Sequence, residues 1–554
     1  ERIKGENMDF INVTIDNKVY KFPKGITIYE ISKQFCINYK FPILISYVDN
    51  RLVELNKKLE KDCTLSFIDC TDRTGNRIYQ KGLIFLLMCA IKELYGYNYS
   101  FKVCHSIDKG IRIRCLFDLN ENKLFEIKNK MEEMVKKNLL IEKCLVKRKE
   151  AIEYFKQITN ISVSSNYYYT TSDYVTLYKL GGIYGYFYTL MPINTNVFIS
   201  FDLKYLDNNE FILQFPTVDG YIPQYKEHKK ITEAYNKNYK SAKKLNIWTS
   251  SDINKKLING KINDIITLSE VIANNELLDL ARKIAEKKDK IKVVLIAGPS
   301  SSGKTTTSKK LSMFLNSFGL NPKPLSLDDY FLPREKTPKL PNGDYDFESL
   351  NAIDIELFNN QLKKLLNNEE VIIPTFNFKT GIPEYKNRLK LNENDIIIIE
   401  GLHCLNEELT KLVPRENKYK VYVSLLTDLN IDDYNIVSTS DNRLLRRIVR
   451  DNRTRGYSAE YTIKTWNRVR DGEEKYIFPY QDEADFVFNS ALIYEIGVLK
   501  LYAEPLLYNI DNNSEYYEEA RRLLKFLDMF LDIPTENIPK ESIIREFIGG
   551  SYFE

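Results

Sequence analysis

The chain has 554 residues, with 80 lysines and arginines against 76 aspartates and glutamates, a formal net charge of +4. Hydrophobic residues make up 43% and charged residues 28%, the balance of an ordinary globular chain with room for three or four domains. So small a net charge gives no global attraction to nucleic acid, and the longest strongly apolar run, LIFLLMCAI at 83–91, is too short to span a bilayer.

The opening ERIKGENMDF lacks the apolar core of a secretory signal, and Met8 is a candidate start, with residues 1–7 a leader or tag remnant. Seven of the eight cysteines lie at or before Cys144 and none forms a C-x-x-C pair, so reduced thiols and a cytoplasmic location are expected. Residues 8–69 alternate apolar and polar. FINVTID and KVYKF flank an Asp16-Asn17 turn, TIYEISKQF at 27–35 reads as a helix, and PILISYV and TLSFIDC read as strands, which together suggest a small β-grasp. In 70–222, GLIFLLMCAIKELYG at 82–96 reads as a buried helix, 121–158 is charged with a helical period, and LGGIYGYFYTLM at 180–191 is a Tyr-rich strand region.

Residues 223–289 are polar and helical, a connector expected to pack on the segment C-terminal to it. Residues 290–500 alternate strand and helix, which argues for a parallel α/β sheet. The tail 501–554 reads as mostly helical and ends in IIREFIGGSYFE. The whole is thus expected to be multidomain, α+β in its N-terminal half and α/β in its C-terminal half.

Within 290–500, GPSSSGKT at 298–305 fits G-x-x-x-x-G-K-[ST]. It follows the strand-like KVVLIA at 292–297 and opens the helical GKTTTSKKLSMFLNSF at 303–318. That setting aims backbone N–H groups and a helix N-terminus at phosphates, which a plain Gly/Ser turn would not do. Gly298, Pro299, Ser300, Ser301, Ser302, Gly303, Lys304, Thr305 and Thr306 are therefore expected to hold ATP or GTP. Lys304 should reach the β- and γ-phosphates and Thr305 should ligate Mg²⁺.

The next strand, PKPLSL at 322–327, ends at Asp328, Asp329 and Tyr330. Ligands of a doubly wound sheet sit at the carboxyl ends of strands, so Asp328 is placed to accept the proton of an attacking hydroxyl, with a plain helix-cap aspartate as the bland alternative. DIIIIEG at 395–401 places Glu400 at the Walker-B position, able to bind Mg²⁺ directly or through water. Its four isoleucines predict a strand buried on both faces at the centre of the sheet. Arginine is concentrated further on. The chain has 22, and eight fall in 443–470. Arg443, Arg446, Arg447 and Arg450 share one helix face, with Arg453 and Arg455 following, and together they predict a mobile lid over the transferring phosphoryl group. A GTPase would show N-K-x-D, yet the only downstream Asn-Lys, Asn417-Lys418-Tyr419-Lys420, lacks the aspartate.

These motifs resemble the uridine kinase and phosphoribulokinase family of P-loop kinases. LSLDDYF at 325–331 is similar to L-S-x-D-x-[FY]-[FY], which makes Asp328 the catalytic aspartate with Tyr330 as a substrate contact. YDFESLNAID at 345–354 resembles D-H-P-x-A-x-D. Glu348, or alternatively Asp346, then falls on the acid that binds ribose hydroxyls. PTFNFKTG at 374–381 resembles P-x-Y-D-F-x-x-H with Phe376 and Gly381 in place of tyrosine and histidine, which removes polar contacts to a base. DNRLLRRIVRDNRTRG resembles D-x-R-L-x-R-R-x-x-R-D. The resemblance makes Arg443 a substrate-binding residue, Arg446 and Arg450 catalytic and Arg455 nucleotide-binding. It implies ATP and Mg²⁺ as cofactors and a nucleoside or similar alcohol as substrate.

The N-terminal half resembles a TGS domain over 8–69 and the second additional (editing) domain of threonyl-tRNA synthetase over 70–222. YQKGLIFLLMCAIKELYG at 79–96 resembles the H-x-x-x-H helix, with Lys81 and Phe85 where the histidines would be. The later Cys-x-x-x-His would fall near YGYFYTLMP at 184–192, which has neither residue, so no editing or metal site is expected. Bacterial nucleoside kinases with this order of domains form a recognisable group, and WNRVRDGEEKYIFPYQDEAD at 466–485 and the IIREFIGGS tail are similar to it. Homo-oligomerisation is expected and no membrane partner. The rival expectation is an RNA- or ribosome-associated regulator using the P-loop as a switch. Its basic surface would be Lys123, Lys128, Lys130, Lys136, Lys137, Lys147 and Arg148, which also read as a solvated face mixed with Glu126, Glu132 and Glu133.

Overall fold

The computed structural model describes residues 9–554 apart from 108, 159–160, 342, 344, 378–379 and 428, so the expected start at Met8 lies outside the described residues. At the N-terminal end, Asp16 and Asn17 take φ of 49° and 62°. That is the type I′ geometry matching the twist of the strands they join, Phe10–Ile15 and Lys18–Pro23. Thr27 caps the helix Ile28–Phe35 in a reciprocal capping box with Glu30. A second hairpin turn, Asp49-Asn50, adds the strand Arg51–Val53, which the sequence pattern did not reveal. With Ile45–Val48 and Cys63–Ile68 the strands form one five-stranded sheet. Phe10–Ile15 lies parallel to Cys63–Ile68, and the other pairs are antiparallel.

The next unit is built around the helix Arg73–Tyr95, buried continuously from Leu83 to Lys92. It starts nine residues before the expected position because Asp72 caps it, accepting from the Thr74 and Gly75 N–H groups. Gly82 lets Phe198 approach closely, since a Cβ there would lie 2.2 Å from the ring. A four-stranded antiparallel sheet and a three-stranded one pack around this helix. The stretch 121–158 is not helical throughout, as expected from its period. Asn138 at φ 50° ends the helix Glu121–Lys136, and the alternating Ile141–Lys147 forms an edge strand paired with Tyr174–Leu180 before the helix Arg148–Gln157. Of the Tyr-rich region, only Ile183–Gly185 continues as strand beyond Leu180.

The C-terminal half carries a five-stranded, wholly parallel sheet in the spatial order Asn321–Ser326, Asp395–Glu400, Val293–Ala297, Lys418–Ser424, Phe486–Asn489. Val293–Ala297 is central, and Asp395–Glu400 lies beside it rather than at the centre. Both are short apolar runs buried on both faces, so burial alone did not rank them. Pro322 and Pro324 are tolerated because their strand is an edge. The segment 223–289 forms three helices, Lys229–Leu245, Ser250–Ile258 and Ile262–Ala285. The last shares one core with Val294, Ile296, Leu311 and Leu315. Helix Glu495–Tyr508 runs through residue 500. Beyond it only Tyr517–Leu527 and the turn Arg545–Ile548 are helical, so the tail has less helix than its composition suggested. Among the described residues no helix is long and apolar enough to cross a membrane.

The two halves interlock. The connection between the strand Lys418–Ser424 and the helix Thr439–Arg455 enters the N-terminal half, where Tyr434 joins the core around Arg73–Tyr95 with its ring 4.9 Å from that of Phe101. The Val103 N–H donates to the Asp433 carbonyl at 2.8 Å, and Asn430 Nδ2 donates to the Val103 carbonyl at 2.9 Å. Tyr434→Ala is expected to destabilise the chain by about 3–5 kcal/mol, the usual cost of an aromatic core truncation. Urea denaturation checks this. An unchanged midpoint would show that the connection is not an anchor.

Candidate active site

The phosphate loop takes its shape from residues that no other side chain could replace. A Cβ on Gly298 would lie 2.2 Å from the Val423 carbonyl oxygen, and Gly303 has φ 85°. The first helical bond after the loop runs from the Thr307 N–H to the Gly303 carbonyl. The N–H groups of Lys304, Thr305 and Thr306 therefore precede the helical ladder. Lys304 Nζ donates to the Pro299 carbonyl at 3.2 Å, curled over its own loop. The Thr305 hydroxyl donates to Glu400 Oε1 and Oε2 at 3.1 and 3.2 Å. The buried hydroxyls of Ser301 and Ser302 have no hydrogen-bond partner within the described chain.

Strand register brings the acids to this loop. Ile296 pairs with Glu400, and Glu400 with Ser326, two residues before Asp328. Asp328 is open to solvent on one side and crowded by protein on the others. The crowding raises its carboxyl above the ordinary range, opposed by the Lys304 charge and reinforced by Asp329. Burial likewise raises Glu400, opposed by Lys304 and reinforced by Asp328. Glu348 is raised by burial too, with Arg447 opposing and Glu473 and Asp328 reinforcing. Three carboxylates thus share the field of one ammonium. Of the two acids offered for the ribose, Glu348 lies inside this field. Asp346 lies beside Tyr476, whose hydroxyl donates to it at 3.5 Å.

The arginines divide differently from the expected lid. Arg443 and Arg446 are fully buried behind the loop. Arg443 pairs with buried Glu473, at 2.8 Å from Nη2, and donates to the Ser300 carbonyl at 3.1 Å, while Glu473 Oε1 accepts from the Ser300 N–H at 2.9 Å. Arg446 pairs with buried Glu495 and donates to the carbonyls of Ser301 at 3.4 Å and Ser490 at 2.9 Å. Both guanidiniums are thus engaged by buried carboxylates and by backbone carbonyls of the loop, not held out as a lid. One-sided helical spacing cannot tell a face turned to a ligand from a face turned to a loop. Arg447, which the motif left without a role, donates to Ser300 Oγ at 2.8 Å and opposes the charge of Glu348. Arg447, Arg450 and Arg455 converge on Asp451 at the edge of the site.

Two of the expected substrate contacts are buried side chains. Tyr330 is buried, and its hydroxyl donates to Gln361 Oε1 at 2.9 Å, so it supports the site from within the core. Phe376 is buried against Phe331, with ring centroids 5.6 Å apart, and its backbone N–H donates to Asp329, so it reaches the site as a wall. Gly381 has φ 73°, and a Cβ there would lie 2.9 Å from the Arg334 side chain.

In the N-terminal half the two stretches that the editing resemblance pairs are neighbours. Lys81 Nζ lies 5.4 Å from the Tyr188 ring, and the Phe85 and Phe187 rings pack at a tilt with centroids 5.3 Å apart. Lys81 meets the kinase half here, beside a cavity of about 1300 Å³ that residues of both halves line, among them Gln80, Tyr188, Ile436 and Asp441. Lys81 donates to Asn435 Oδ1 at 3.4 Å and faces buried Asp432. Burial lowers Lys81 to about 8 and raises Asp432 to about 6, each partly restored by the other's charge. Among the described residues no group of three or more His, Cys, Asp or Glu side chains could hold a metal alone. The expected basic surface is neutralised locally at several of its seven residues. Lys128 pairs with Asp202, Lys130 with Glu93, and Lys137 with Glu133.

Comparison with known proteins agrees with this geometry. The model of the phosphoribulokinase / uridine kinase family matches residues 293–496. A uridine kinase of Borrelia duttonii is 32% identical over 208 residues, 36% of this chain and 85% of that protein. The chain belongs to the phosphoribulokinase/uridine kinase family. A uridine-cytidine kinase B of Dictyostelium discoideum is 26% identical over 196 residues, 35% of this chain and 73% of that kinase. The N-terminal part matches elsewhere. A threonine–tRNA ligase of Clostridium kluyveri is 29% identical over 150 residues, 26% of this chain and 23% of that ligase.

Removing the carboxylate of the buried Arg443–Glu473 pair leaves an uncompensated charge behind the loop. Glu473→Ala is expected to destabilise the protein by about 3–5 kcal/mol, measured by chemical denaturation. An unperturbed midpoint would show that the pair does not hold the loop.

Proposed function

We propose that the chain transfers a phosphoryl group from ATP to a hydroxyl of a nucleoside, the ribose 5′-OH by preference, or of a similar small alcohol. One observation carries the reading. Asp328, two residues past one strand, and Glu400, at the end of its parallel neighbour, both lie in the field of Lys304, and Glu400 accepts from Thr305. An acceptor hydroxyl presented to Asp328 gives its proton to that carboxylate as the oxygen attacks, while Lys304 uncurls from Pro299 to meet the phosphates. Thr305 and Glu400 have the oxygen donors a divalent cation takes, and magnesium held there would neutralise charge on the phosphates. The unpaired Ser301 and Ser302 hydroxyls and the N–H groups of Lys304 and Thr305 ahead of the helical ladder fit a triphosphate. Glu348 is the better placed acid for ribose hydroxyls, and Arg447, Arg450 and Arg455 are the arginines that face the transferring group. Phe331, Phe347 and Phe376 line the acceptor side with aromatic rings, which favours a flat apolar surface over polar base recognition. The N-terminal segments read as a TGS-type β-grasp and a degenerate editing fold serving as scaffold.

A panel of nucleosides with ATP, followed by ADP release, tests the reading directly. Turnover of none of them would move the acceptor to another class of alcohol. Asp328→Asn is expected to keep ATP binding and lose about 10²–10⁴ in kcat. Near-normal turnover would remove Asp328 from the chemistry. In the wild type, kcat should rise with pH through an apparent pKa above the ordinary aspartate value of about 4, because only the ionised carboxylate accepts the proton and crowding raises it. Stability has the opposite sign. Carboxyls raised in the folded state favour the fold at low pH, and that contribution is lost as pH rises through their raised values.

A further inference from the structure

Thr306 supplies the last of the three N–H groups that precede the ladder of the phosphate-loop helix, and this one is already taken. Glu546 Oε2 accepts from the Thr306 N–H at 3.2 Å and from the Thr306 hydroxyl at 2.7 Å. Glu546 lies outside the stretch matched by the family model, which ends at 496. Its segment is built against the loop. Ile543 stands 2.7 Å from where a Cβ on Gly303 would be, and Ile543, Ile544 and Phe547 are fully buried. Arg453, from the arginine helix, donates to the carbonyls of Glu546 at 3.1 Å and Phe547 at 3.3 Å, and Lys309, from the phosphate-loop helix, donates to the Phe553 carbonyl at 2.8 Å.

A carboxylate on that N–H occupies the kind of place that a phosphate oxygen takes at a helix N-terminus. The two cannot share one donor. The negative charge of Glu546 also adds to that of Glu400 and Asp328 around Lys304. Because the backbone on either side is anchored by buried side chains, the carboxylate can leave by rotating its own side chain, with no unfolding of the tail.

We propose that Glu546 is an internal counter-ligand of the phosphate loop, which holds Thr306 until a nucleotide displaces it and so sets the affinity for the phosphoryl donor. The proposal rests on the loop being the nucleotide site of the proposed kinase. The test is calorimetric titration of the full chain, as wild type, Glu546→Gln and Glu546→Ala, with ATP, with tripolyphosphate and with adenosine. Both variants should bind ATP and tripolyphosphate about tenfold more tightly than wild type, with adenosine unchanged, since only phosphate competes with the carboxylate. Glu546→Gln preserves size and packing, so a poorly folded alanine variant does not decide the result. Unchanged or weaker binding of ATP and tripolyphosphate by the glutamine variant would overturn the proposal. Nucleoside turnover by the wild type in the same preparation would show that the kinase reading survives that failure. Binding of ATP by none of the three would overturn both.

Discussion

Two buried ion pairs hold the phosphate loop, and most of the C-terminal half is arranged around them. Arg443–Glu473 grips both backbone groups of Ser300, and Arg446–Glu495 draws on the carbonyl of Ser301. The carbonyls of Ser300 and Ser301 and the N–H of Ser300 are pulled to the rear, and the N–H groups of Lys304 and Thr305 stay ahead of the helical ladder, the polarity an anion site requires. The partners come from three helices, Thr439–Arg455, Ala459–Tyr476 and Glu495–Tyr508, so the loop shape depends on packing far along the chain. Charges this deep are costly to desolvate, and ion pairing together with the bonds to the loop carbonyls offsets that cost.

The same helices reach the acceptor side. Gly472, next to Glu473, lies against Glu348, where a Cβ would sit 3.2 Å from the glutamate side chain. Loop and candidate ribose acid are thus referred to one helix. The tail segment around Glu546 rests on the phosphate-loop helix and on the arginine helix, so donor site, arginines and tail are bound in one rigid neighbourhood.

What could be read in the sequence was what local chemistry dictates. The loop, the strand ending in Glu400 and the aspartate after the next strand are set by short-range pattern, and parallel register then brings them together. The arginine cluster was visible but its direction was not, because a helix face carries no sign saying whether a ligand or a loop lies opposite. Glu473 and Glu546 were passed over for a related reason. Each acts through a partner distant in sequence, 173 residues from Ser300 in the case of Glu473 and 240 from Thr306 in the case of Glu546. The strand Ile141–Lys147 was hidden by its lysines and glutamates, which mimic an exposed helix while protecting a sheet edge.

The seating of the kinase connection in the N-terminal half has a consequence for how the chain tolerates change. Lys81 stands where the editing resemblance places a histidine, and the buried carboxylate whose charge it feels, Asp432, comes from the other half. Burial disfavours the charged form of each, and the charge of the other partly restores it. A substitution that discharges one of them therefore shifts the titration of the other, so that a change in the long helix of one half is felt as a change of charge in the connection of the other.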